Sequence, residues 1–180
     1  RPPRSTLFPS TTLFRSTSWD ETVYFITAPS TVVNQALDIL TDAVFKPKID
    51  QTELEKEKQV VLEEILESEE RPERKASKLL MKTVYTKSPY QFPIIGFRDT
   101  VEKISREDIF SFRKKWYVPE NMFFLIVGDV DTTKLLPELE KLTEDLKPTG
   151  FFRPPRAVEP LQKQVDRKST RLNSSHRIRS

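Results

Sequence analysis

The stretch DQTELEKEKQVVLEEILESEERP, residues 50–72, reads as one long acidic helix with its start and its stop written into it. Asp50 with Glu53 supplies a capping box, the helix is expected over about residues 51–70, and Pro72 fits the first turn of another helix. At about 100° per residue, Glu57 and Glu64 stand two turns apart and differ by about 20° around the axis. Val60 and Val61 flank them on that arc, with Leu54 and Ile65 a little further round, while Glu55, Glu63 and Glu67 fall away from it. A carboxylate on a packed face is costly unless it meets a cation, a hydrogen-bond network or a metal. The spacing alone leaves two readings open. Either Glu57 and Glu64 sit at the border of the face and reach water or a Lys or Arg, or one is a hard oxygen ligand for a divalent metal with the other beside it.

Working outward, ETVYFITA at 21–28 has the β-branched and aromatic density of a strand, ended by Pro29. Ser30 is placed to cap a helix in which Val33, Leu37, Leu40 and Val44 recur at helical spacing, and Pro47 stops it. On the other side, a helix runs from Pro72 through Leu79, Leu80 and Val84 toward Tyr85. SPYQFPIIGF at 88–97 then mixes prolines and a glycine with large apolar residues, the composition of an ordered, packed connection. Ser105 with Asp108 caps a helix carrying Ile109, Phe112 and Trp116, closed by Pro119. MFFLIVGDV at 122–130 is continuously apolar and predicts a buried strand. Asp131 or Thr132 starts a last helix through Leu135, Leu139 and Leu142, and 148–165 is proline-rich and irregular. Phe112, Trp116, Tyr117, Phe123 and Phe124 are expected in the core. Gly96 and Gly128 read as turn glycines, and the KASK and RKK clusters as solvated helix faces.

The formal charge is +3, but the ends create it. Residues 1–16 and 166–180 are rich in Ser, Thr and Arg, show no apolar periodicity, and resemble translated sequencing adapters. Both are expected to be disordered tails. They hold the only histidine, His176, and leave residues 17–165 with 22 basic and 26 acidic side chains. A mildly acidic domain with interleaved charges has no electrostatic footprint for nucleic acid. No apolar run is long enough to span a bilayer, and the lack of cysteine removes disulfide and thiolate chemistry without naming a compartment. Cytoplasm is the first expectation for a bacterial source, with an organelle the other.

The series TSWDETVYF, ALDILTDAVFKPKID, EKEKQVVLEEI, SPYQFPIIG and ISREDIFSFRKKWYVPENMFFLIVGDVD resembles, in order and spacing, the first domain of insulinase- and pitrilysin-type zinc metallopeptidases, a family that includes mitochondrial processing peptidase and bacterial relatives. The resemblance implies a truncated α+β domain over 17–147, its sheet mostly antiparallel with helices packed on it, followed by a segment at 148–165 leading toward a next domain. It implies an endopeptidase using Zn2+ on extended peptides, with a second homologous domain or subunit closing the chamber, and no nucleic-acid or membrane partner. In the family, zinc is held by the histidines of an inverted HxxEH motif and by a downstream glutamate. Glu64 matches that glutamate, Glu57 the acidic residue one heptad earlier that assists the site, and Thr17 and Ser18 the end of the substrate-contacting stretch. Residues 17–165 contain no histidine, so the chain as given is expected to be inert and to hold zinc poorly. The alternative the family allows is a non-catalytic member serving as a partner or structural core subunit.

Overall fold

The computed structural model describes residues 13–161. Two strands open it, β1 (Leu13–Thr17) and β2 (Thr22–Ile26), paired antiparallel with Thr17 opposite Thr22 and Leu13 opposite Ile26. β2 is the expected strand; β1 corrects the expectation that residues 1–16 are a disordered tail, since Leu13–Ser16 belong to it. The physical reason is that a strand edge presents unpaired backbone groups to any extended neighbour, and main-chain pairing is tolerant of side-chain sequence. The hairpin turn closes with the Ser18 N–H donating to the Glu21 carbonyl at 2.9 Å, and Phe14 stacks on Phe25 at 5.2 Å. Residues 1–12 and the whole of 166–180 lie outside the described residues.

A single turn at Ser30–Val32 leads into α1 (Val33–Phe45), so Ser30 lies within that turn and its side chain caps nothing, contrary to expectation. α1 buries Leu37, Thr41 and Val44 and packs on β2 and on α6 (Thr132–Thr143), which contributes Leu135. The buried Thr41 hydroxyl donates to the Leu37 carbonyl at 2.8 Å, which removes its desolvation cost. Ile49, a β-branched residue at φ 43°, turns the chain toward α2 (Gln51–Glu70). Arg106 holds that turn by donating to the Ile49 carbonyl at 2.7 Å.

Asp50 caps α2 by accepting from the Thr52 and Glu53 N–H groups, but Glu53 does not reach back to complete the box; it pairs with Lys56 at 2.7 Å. α3 (Pro72–Val84) follows with Pro72 in its first turn and packs on α2. The 88–97 connection is ordered, with a short turn at Pro89–Gln91 and Gly96 at φ 83°, where a side chain would be strained. A six-residue helix that periodicity did not reveal, α4 (Arg98–Lys103), lays Val101 against Leu62 and Ile65 of α2. α5 (Arg106–Trp116) begins with the full capping box expected, Ser105 accepting from Asp108 N–H and Asp108 accepting from Ser105 N–H at 2.9 Å. α6 starts on the Asp131 cap, and from 147 to 161 there is no regular element.

The 122–130 run is the main departure. It forms no strand among the described residues and bends at Gly128 and Asp129, and Phe123, Leu125 and Val127 are 86%, 79% and 86% exposed. It faces β2 and α1 across a cavity of about 200 Å³ lined by Tyr24, Ile26, Leu37 and Leu40 on one side and Ile126 and Val130 on the other. A strand exists only when a neighbour supplies the ladder, however apolar its sequence. The core expectation for the aromatics fails for the same reason at Phe123 and Phe124, and at Phe112 because α5 buries no residue. Trp116 and Tyr117 are half-buried, and Tyr117 meets Tyr24 hydroxyl to hydroxyl at 2.9 Å. Burial, with that hydrogen bond, pushes the Tyr117 phenol up to about 12.

Candidate functional site

α2 positions the two carboxylates singled out by sequence. Its packed face runs through Leu54, Lys58, Val61, Leu62, Ile65 and Ser68, against α4 and α3. Lys58 joins that face by donating to the Ile104 carbonyl at 3.2 Å while pairing with Glu55 at 3.3 Å. Glu57 and Glu64 are both exposed, and so is Val60 between them, at 47%. The expectation that the pair lies within the apolar side is therefore corrected. The center of the packed arc lies between Val61 and Ile65, about 60° from Glu57 and about 80° from Glu64 by the same helical arithmetic. With water at both carboxylates, no burial cost has to be offset.

The arrangement is a rigid helix holding two acids in line on a face that α3 and α4 leave open. It offers one or two oxygen donors to whatever approaches that flank, fewer than a catalytic zinc requires. Among the described residues, no three His, Cys, Asp or Glu side chains converge as a metal site. His176 lies outside them.

Thr17 and Ser18 end β1 and begin its turn. Both are exposed, with Thr17 paired to Thr22 and the Ser18 hydroxyl accepting from Asp20 N–H at 3.4 Å. Sequence reasoning missed a polar cluster near that turn. Tyr90 donates its hydroxyl to Asp20 at 2.7 Å, which raises the phenol's pKa, and Arg156 reaches both, at 2.9 Å from the carboxylate and 3.0 Å from the hydroxyl. These partners are far apart in the chain, so no local pattern announces them.

Residues 12–97 match the family model described as Insulinase (Peptidase family M16), and residues 103–177 match the model of the Peptidase M16 inactive domain. The chain belongs to the M16, or insulinase, family of peptidases. The two M16 matches reach into both terminal stretches that resemble adapters. An uncharacterized zinc protease of Rickettsia bellii is 32% identical over 130 residues, 72% of this chain and 32% of that protein. A probable mitochondrial-processing peptidase subunit beta of Arabidopsis thaliana is 29% identical over 70% of the chain and 24% of its own length. Among solved structures, a protease from Helicobacter pylori superposes with a TM-score of 0.72 at 29% identity, covering 77% of this chain and 34% of that one. The M16 chain thus spans about a third of the length of the curated relatives it matches.

Proposed function

We propose that the full-length protein is a zinc-dependent endopeptidase acting on extended peptides, in which Glu64 is a metal ligand and Glu57 supports it, and that the 180-residue chain by itself is inert. Family membership supports zinc-peptidase chemistry in general. The observation that carries the finer reading is the shared, uncovered flank of α2, where both carboxylates face outward beside the exposed Val60. A flank that is polar at two positions and apolar between them suits a further helix bringing the remaining ligands. Thr17 and Ser18, at the end of a two-stranded edge, are proposed to border the strand-like substrate. A second homologous domain or subunit would then close over the site.

One observation favors the non-catalytic alternative: the inactive-domain model matches 103–177. That match begins after α2, whereas Glu57 and Glu64 lie within the peptidase match at 12–97, so the peptidase reading is preferred.

The test compares isosteric changes on one helix in the full-length protein. Glu64→Gln should remove most of the zinc and nearly all peptide turnover. Glu57→Gln should reduce them by about 10 to 100-fold, as changes to residues that orient metal ligands typically do. Glu63→Gln, on another side of α2, should resemble wild type. Loss of zinc in Glu63→Gln with zinc kept in Glu64→Gln would refute the assignment.

A further inference from the structure

Residues 149–159 form no helix or strand, yet they are tied down at both ends and in the middle. At one end the Thr149 and Gly150 N–H groups donate to Glu120 at 2.5 and 2.8 Å, and the Phe151 ring meets the edge of Trp116 at 5.7 Å. In the middle, Arg156 grips Asp20 and Tyr90. At the far end the Glu159 carboxylate is bound by a run of consecutive residues. One oxygen accepts from the Thr86 N–H at 2.7 Å and the Thr86 hydroxyl at 2.6 Å, the other from the Lys87 and Ser88 N–H groups at 3.0 and 2.8 Å. Successive N–H groups converging on one anion form a nest, and the chain fills it with its own side chain. Pro154 and Pro155 stiffen the intervening stretch, which lowers the entropy lost on tying it down.

The anchors have a pattern. The strap lies in the region matched by the inactive-domain model, while Asp20, Thr86–Ser88 and Tyr90 lie in the region matched by the peptidase model. We propose that residues 149–159 are a clasp that locks these two regions together, with Glu159 as its latch and Arg156 as its second hold. Its release would free the connection after α3 and the direction in which the chain continues beyond Leu161.

The test uses the 180-residue chain. Amide exchange by NMR should show Thr86, Lys87 and Ser88 protected in the wild type. In Glu159→Gln they should exchange at least about tenfold faster, the order expected when charge-assisted hydrogen bonds to an anion are lost, with α2 amides unchanged. Trypsin cleavage after Arg156 should accelerate in the same variant. Asp20→Asn removes the Arg156 ion pair and weakens the Tyr90 hydrogen bond without touching the Glu159 contacts, and should speed that cleavage while leaving Thr86–Ser88 protected. Open-chain exchange at those three amides in the wild type would overturn the proposal, as would wild-type exchange in Glu159→Gln. Should Glu159→Gln unfold, accelerating α2 as well, an Asp20→Asn chain cut no faster after Arg156 would overturn it.

Discussion

Glu159 shows how a single side chain can carry a long-range contact while only partly buried. Its pKa is lowered from the ordinary 4.5 to about 2, first by the Thr86 hydroxyl and then by the backbone N–H groups of residues 86–88, all of which favor the charged carboxylate. Arg156, three residues earlier in the strap, pairs with Asp20. Because the folded value is depressed, the contribution of this contact is fully present above about pH 4.5 and is lost as the pH falls through about 2. The Glu159 side-chain carboxyl carbon should therefore titrate by NMR with a midpoint near 2, and Thr86–Ser88 should remain protected at pH values where ordinary glutamates are already protonated. A midpoint near the ordinary value would show the latch open in solution.

Among the elements, α2 decides what its neighbors can do. Its polar length, 20 residues, is stabilized by the Asp50 cap and by surface pairs such as Arg71 with Glu67, while only one narrow face packs. Ile65, 3% exposed between Leu62 and Val101, is the center of that face. Ile65→Ala should cost about 2–5 kcal/mol, the usual range for emptying a packed aliphatic site. Val60→Ala, on the uncovered flank, should stay within about 0.5 kcal/mol of wild type. Urea denaturation of the two variants checks the assignment, and a larger loss at Val60 would mean that the helix is rotated from the orientation described. The capping box of α5 and the cap of α6 were legible because each is written within four residues.

On the scale of the whole molecule, the core is small and the apolar surface large. Leu37, Val44, Leu62, Ile65, Val101, Val118 and Leu135 are buried, whereas Phe123, Leu125, Val127, Leu79 and Leu80 are not. Exposed apolar groups on this scale are prone to association, and the relatives are about three times the length of the matched region. In isolation the chain should associate with itself through the exposed apolar 122–130 segment. Sedimentation velocity should show mass rising with concentration, and Phe123→Lys combined with Val127→Lys should suppress that rise without loss of helical circular dichroism. A monomer at all concentrations would argue that the segment is covered by some other part of the chain.

What the sequence determined by itself is the local layer: the helix over 51–70, the helix from Pro72 toward Tyr85, the strand within 21–28, the box at Ser105 and the stop at Pro47, together with the family, whose segments occur in order. Each rests on hydrogen bonds and dihedral preferences closed within a few residues. Tertiary structure alone decided which side of α2 is buried, because an amphipathic arc does not state where its partner will lie. It decided that Leu13–Ser16 join a sheet while the more apolar 122–130 run does not, because a strand requires a neighbor and tolerates almost any side chains once it has one. It also brought Glu159 to Thr86, 73 residues away, since three backbone N–H groups aimed at one point are a property of a loop's shape that the identities Thr, Lys and Ser do not encode.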